Sequence, residues 1–219
     1  MNFIAATVEL RNLQPDPVNV YGIDYRVADA VIPSSNSAGE VRLRALCYAG
    51  ATSKLGSFLE WKTGNRALIT GQLVFSDDTS KPLDLIITTF EYNIPQDMYC
   101  NQVVLGNAFF ASDEIRERKN DQLAVKIGST LDNSEVTTWL YMETHESRKK
   151  KLNDRIRKGR PICVQGYFRE YRKDDSDSPY RAIVASDFST RKDRGSAGRN
   201  PQTSGTAKGY TEIDLTPDY

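Results

Sequence analysis

The 219-residue sequence contains a single histidine, His145, and three cysteines, Cys47, Cys100 and Cys163, which stand far apart with no CxxC pair. Such a set is too sparse for a zinc site, a disulfide framework or a Ser-His-Asp arrangement, and buried reduced thiols are the simplest expectation. No apolar run approaches the roughly 20 residues that a membrane helix needs, so no membrane association is expected. The opening stretch MNFIAATVELRNL has neither a basic leader nor an unbroken apolar segment, which predicts an unexported, cytoplasmic protein. There is also no phosphate-cradling glycine loop, no paired metal ligands and no nucleophile beside a base. A non-enzymatic protein without a cofactor is therefore expected.

Net charge is lacking too, 29 basic residues balancing 29 acidic ones, but the distribution is uneven. Residues 1–96 hold 8 Lys/Arg against 10 Asp/Glu, whereas residues 97–191 hold 17 against 15. The run from Arg148 to Arg160 concentrates much of that positive charge, either as a path for a polyanion or as a solvated helix face.

A repeat organises the chain. GNRALITGQL (64–73) and GRPICVQGYF (159–168) both read glycine, polar residue, apolar run, glycine, strand, at an offset of 95. At that offset EVRLRALCY (40–48) lies over EVTTWLYME (135–143), and NFIAATVEL (2–10) matches NQVVLGNAF (101–109) more loosely. Each copy reads as three strands, a short helix, and two strands joined by a turn-rich hairpin, residues 76–82 and 173–179. The helices are predicted over 53–64, with Leu55, Phe58 and Leu59 on one face, and over 146–159, with Leu152 and Ile156. Gly64 and Gly159 are expected in left-handed positions, and Gly71 and Gly166 at strand bends. Five strands with one helix between the third and fourth is the order of the OB barrel. The predicted fold is all-β with one short helix per domain: two tandem five-stranded OB-fold barrels, over residues 1–96 and 97–190, and a disordered tail over 191–219. That tail is rich in Gly, Ser, Lys and Arg and nearly devoid of apolar residues until YTEIDLTPDY.

Residues 100–190 resemble the bacterial single-stranded-DNA-binding protein family. NQVVLGNAFFASDEIR is similar to its opening strand. The stretch from TTWLYMETHE through the helix ending in Lys158-Gly159 to GYFREY and YRAIVASDF is similar to its strand three, helix, strand four and strand five. The resemblance implies sequence-tolerant binding of single-stranded DNA in replication, recombination or repair, in the cytoplasm at the nucleoid, with RNA left open as a ligand. It also implies a homodimer supplying four OB units, as in tandem members of that family. Trp139 falls at the family's base-stacking tryptophan of strand three, and His145 where another aromatic is usual. The tail tip, with Glu212, Ile213, Asp214, Leu215, Asp218 and Tyr219, is similar in kind to the acidic, apolar-tipped tail by which the family recruits replication and repair proteins; an inert end is the alternative, since this tip is less acidic and ends in tyrosine.

Gripping a single strand takes rings for the bases and cations for the phosphates. Among the rings Trp139, Tyr141, Tyr171 and Tyr180 are the candidates, with His145 a weaker stacking group and Phe168 expected in the core. The cations are Lys126, Arg169, Arg172, Lys173 and Arg181. Core packing for Trp139 and cross-strand pairing for Tyr171 and Tyr180 are the competing readings. The first copy has Arg44 at the Trp139 position and Gly50 at the His145 position, leaving Arg42, Arg44, Lys81 and Phe75 as its contacts and predicting weak binding or a role in dimerisation; Trp61 is expected in its core. A protein-interaction module on OB barrels remains the alternative function.

Overall fold

The computed structural model of the protein describes residues 2–33, 40–51, 56, 58–62, 64–74, 81–92, 94–95, 97–130, 137–171 and 179–190. It is mostly β. The strands are β1 (Asn2–Arg11), β2 (Val18–Val20), β3 (Ile23–Ile32), β4 (Val41–Tyr48), β5 (Arg66–Val74), β6 (Leu83–Tyr92), β7 (Asn101–Arg118), β8 (Gln122–Thr130), β9 (Thr137–His145), β10 (Pro161–Tyr171) and β11 (Tyr180–Thr190). One short helix, α1 (Lys149–Asn153), follows a 3-10 turn over Glu146–Arg148. Of the helix expected over 53–64, residues 56 and 58–60 have helical backbone and several neighbours lie outside the described residues. The 191–219 tail lies wholly outside them. Among the described residues no helix is long and apolar enough to cross a membrane.

In the second half β7 pairs with β8, β8 with β9, β9 in parallel with β11, β11 with β10, and β10 back with β7. That circuit closes a five-stranded barrel. In the first half β1 pairs with β3 and β5, β5 with β6, β6 in parallel with β4, and β4 with β3. The halves are joined by an antiparallel β1–β7 ladder from Asn2–Leu105 to Ala6–Asn101.

Alternation drives the burial. Ile4, Ala6, Val8 and Leu10 point inward along β1, and Ile162, Val164, Gly166 and Phe168 along β10. Leu152 and Ile156 are buried beneath the second half, and Trp61 and Phe168 are core residues as expected; Phe58 is buried too, but Leu59, predicted on the same helix face, is exposed. Each large apolar side chain so buried contributes roughly 1.5–3 kcal/mol. Cys47 is buried, but β10's alternation turns Cys163 outward between Ile162 and Val164, contrary to the expectation of buried thiols.

The paired glycines behave as backbone devices. Gly64 and Gly159 have φ of 88° and 77°. Gly159 does not cap α1, which ends at Asn153; its N–H donates to the Phe110 carbonyl (2.7 Å) as the chain turns into β10. Gly71 and Gly166 each sit at a register shift, between Thr70 and Gly71 and between Gln165 and Gly166. A Cβ there would come within 2.2 Å of the Ile86 carbonyl oxygen and 2.1 Å of the Val184 carbonyl oxygen respectively. Main chain cannot move aside as a side chain can, so Gly166→Ala is expected to cost about 2–3 kcal/mol. Gly56→Ala, where a Cβ meets nothing within 4 Å, is expected to stay within about 0.5 kcal/mol of the parent. Urea unfolding of the two variants beside the parent checks both values.

Candidate nucleic-acid interface

Residues alternate faces along β9, so Trp139, Tyr141, Glu143 and His145 share the outer face, while Leu140 and Met142 enter the core. Register extends that face sideways: Trp139 lies opposite Gly128, and Tyr141 opposite Lys126 on one side and Ala182 on the other. On β10 and β11, Tyr171 lies opposite Tyr180, Arg169 opposite Ala182, and Tyr167 opposite Val184. Trp139 is 48% exposed, which sets aside the core reading for it.

The rings are arranged in two groups. Trp139 meets Phe109 edge-on at 5.8 Å, above Gly128, where a Cβ would come within 2.5 Å of Phe109 and 2.8 Å of Trp139. Glycine there leaves room for both rings. Tyr141 and Tyr180 stack at 4.7 Å with 29° between planes, and Tyr171 lies 5.9 Å from Tyr180. These contacts are the cross-strand pairing weighed against a ligand role, and they also make one aromatic platform. Burial first, and then the Glu143 carboxylate, push the Tyr180 phenol upward; the same two causes raise Tyr171.

Cations lie on the rings. Lys126 Nζ is 5.3 Å from the Trp139 centroid, and the Arg169 guanidinium is 4.4 Å from Tyr171. Arg118 is 4.7 Å from Tyr180 and 5.9 Å from Tyr141, and Arg116 donates to the Tyr141 hydroxyl at 3.4 Å. Cation–π contacts of this kind are worth roughly 0.5–1 kcal/mol at exposed sites and leave the charge available outward. The sequence reading missed Arg116, Arg118 and Phe109. The arginines lie at i and i+2 beside the Asn120–Asp121 turn, whose residues have φ of 60° and 54°, and that spacing was the available signal.

Other candidates are placed differently. Arg181 is a correction: it lies on the opposite face from Tyr180, nine-tenths buried, with Nε 3.0 Å from Glu170 Oε2, and it also donates to the Lys81 carbonyl. A buried, paired guanidinium cannot follow phosphates. His145 is exposed, but its Nδ1 accepts from the Ser147 N–H (3.1 Å), capping the 3-10 turn. Arg172, Lys173, Glu212, Ile213, Asp214, Leu215, Asp218 and Tyr219 lie outside the described residues. In the helix run, Lys149 pairs with Glu117 at 2.6 Å and Lys151 with Asp187 at 2.8 Å, which fasten α1 to its neighbours.

The matching face of the first half is filled by its own chain. Arg44 holds Asp84 through two 2.6 Å bonds, and Tyr21 donates to the same carboxylate at 2.8 Å. Beside them Val20, Tyr25, Val27 and Leu46 form a separate apolar cluster with Val18 and Ile86. Arg42 remains exposed on β4.

No protein-family model matches the chain, and no curated protein matches it. Solved structures do. The wild-type single-stranded DNA binding protein from Thermus aquaticus is 18% identical, with a TM-score of 0.57 over 94% of this chain and 97% of that one. A deletion mutant of the protein from the same organism is 16% identical, with a TM-score of 0.58 over 87% and 94%. The likeness to single-stranded DNA binding proteins seen in the sequence is therefore also a likeness of fold, extending over most of this chain and nearly the whole of theirs.

Proposed function

We propose that this protein binds single-stranded DNA without catalysing a reaction, through the outer face of residues 97–190. The observation that carries the reading is the overlay of cations on exposed or half-buried rings: Lys126 on Trp139, Arg118 on Tyr141 and Tyr180, Arg169 on Tyr171. Such a surface offers stacking to any base and charge to every phosphate, the two requirements of sequence-tolerant grip. The fold it shares with the Thermus aquaticus protein supports the same reading. Splayed bases are the natural ligand of such a platform, whereas duplex would keep its rings hidden. We read the chain as two tandem OB barrels, residues 1–96 and 97–190, that pair as a homodimer of four barrels. Its tail over 191–219, with Arg172 and Lys173 in the preceding hairpin, extends the contacts to DNA and to replication, recombination and repair proteins at the nucleoid.

Titration of a labelled oligo-dT of about 30 nucleotides, room for a few OB site sizes, tests the reading by anisotropy and tryptophan quenching. Binding that quenches fluorescence and weakens with salt is expected. Trp139→Ala is expected to lose about 1–3 kcal/mol of affinity. Lys126→Ala is expected to lower the slope of log K against log salt by about 0.7, one phosphate contact on a single strand. Absence of binding at low salt would instead favour a protein-interaction module. Light scattering checks the dimer, a stable monomer being the contrary result.

A further inference from the structure

The outer face of β9 continues past Tyr141 to Glu143, which is only 3% exposed, and its Oε2 completes no hydrogen bond. The Tyr180 hydroxyl is likewise buried, and the one acceptor it meets is the Glu143 carboxylate, with which it interacts without closing a full bond. Both belong to one locality: Tyr180 stacks on Tyr141, two residues from Glu143 on the same strand, and the carboxylate acts on the phenols of both Tyr180 and Tyr171. Ser129 and Thr144 also have unsatisfied hydroxyl oxygens, but Glu143 is the one carboxylate among the described residues in that condition. An apolar side chain would pack there at less cost, because a buried carboxylate with no donor but one phenol leaves most of its acceptor capacity unfilled. An acceptor held dry beside a hydroxyl, under a ring platform, is arranged for a ligand that brings a donor and an acceptor together.

Amino-bearing bases bring that pair. Cytosine presents its N4 amino group next to the N3 acceptor, and adenine its N6 amino group next to N1; carboxylates accept from the cytosine amino group in known readout geometry. Thymine and uracil present the O4 carbonyl where the amino group would be, which a carboxylate repels, and meet the pair through N3–H and O4 only by shifting out of the register a stacked cytosine takes. Arg118, its guanidinium 4.7 Å from the Tyr180 centroid and 5.9 Å from that of Tyr141, is a flat cation lying where a base would stack. It stands at the end of β7, beside the Asn120–Asp121 turn, free to swing to a phosphate.

We propose that Glu143 and Tyr180 form a base-edge subsite for cytosine and adenine within the stacking platform, entered as Arg118 leaves the rings for the backbone; this rests on the single-strand-binding reading above. Glu143 accepts from the exocyclic amino group and the Tyr180 hydroxyl donates to the adjacent ring nitrogen. The protein is then a stacking binder with a base preference at one position.

The test uses the full chain and three labelled oligonucleotides of about 12 nucleotides, within the span of one OB site. All are oligo-dT, with a central stretch of thymine, of cytosine, or of 2-pyrimidinone, which is cytosine without its amino group; anisotropy is read near neutral pH at fixed salt. The cytosine strand is expected to bind about tenfold tighter than the other two, the size of one good base contact. Tyr180→Phe keeps the ring and is expected to narrow that preference to about threefold, and Glu143→Gln, which supplies a donor, to shift it toward thymine. Thermal melts report whether each variant is folded; should Glu143→Gln fail, the pyrimidinone strand and Tyr180→Phe decide alone. Equal affinity of the parent for all three strands overturns the base-edge subsite and leaves the stacking reading standing. No binding to any strand overturns both.

Discussion

Everything else in the molecule depends on the antiparallel ladder between β1 and β7. Asn2 faces Leu105 and Ala6 faces Asn101, so each half's first strand is the other's neighbour and neither leaves an open edge. The joint has near two-fold symmetry. Asn2 Nδ2 donates to the Leu73 carbonyl and Asn101 Nδ2 to that of Phe168, two positions 95 residues apart. Thr7 and Cys100 add two bonds, the Thr7 N–H to the Cys100 carbonyl (2.8 Å) and the Cys100 N–H to the Thr7 hydroxyl (3.0 Å). Because ladder bonds fix register, and register fixes which side chains face outward, the ladder also sets the orientation of the aromatic face relative to the first half.

Symmetry of backbone then makes the asymmetry of side chains informative. At matching outward positions the first half has Leu46 where the second has Tyr141, Arg44 where it has Trp139, and, as their cross-strand partners, Val27 where it has Lys126. In the first half Val18 and Val20 on the β2–β3 hairpin join Val27 and Leu46 and Tyr21 reaches Asp84, so the face is occupied. In the second half the corresponding β7–β8 hairpin brings Arg116 and Arg118 over tyrosines. One hairpin closes a face with apolar contact; the other decorates a face with charge.

How far the sequence could be read follows from which features are local. Gly71 and Gly166 were legible because a strand bend with no room for a Cβ is a need of the main chain, and only one residue type meets it. Trp139 was legible through the resemblance of its strand, and Tyr141, two residues on, shares its face by alternation. Arg181 was not: its strand begins after a hairpin that gives no parity, and one position's difference turned it from the tyrosines to Glu170. The reach of Arg116 and Arg118 depends on how a hairpin curls across three other strands, which no window of sequence contains. His145 was recognised as a ring, but the cap it makes for Ser147 depends on the chain turning there into a 3-10 helix.

The proposed grip on a polyanion by a neutral protein requires cations that can change partners, and the ion pairs here divide on that point. Arg116 is paired with Glu114, and Lys149 with Glu117, with both partners of each pair substantially exposed. Solvent screens exposed pairs so that they contribute little, and a phosphate can take the cation at little cost. Arg44 is different, because its partner Asp84 is only 5% exposed. Drawing Arg44 away would leave a buried carboxylate with the Tyr21 hydroxyl in place of two charged bonds, a larger loss than an exposed pair suffers. The two arginine environments thus differ in kind: in the second half cations rest on rings or loose carboxylates, as the proposed binding requires, whereas in the first the cation belongs to the fold.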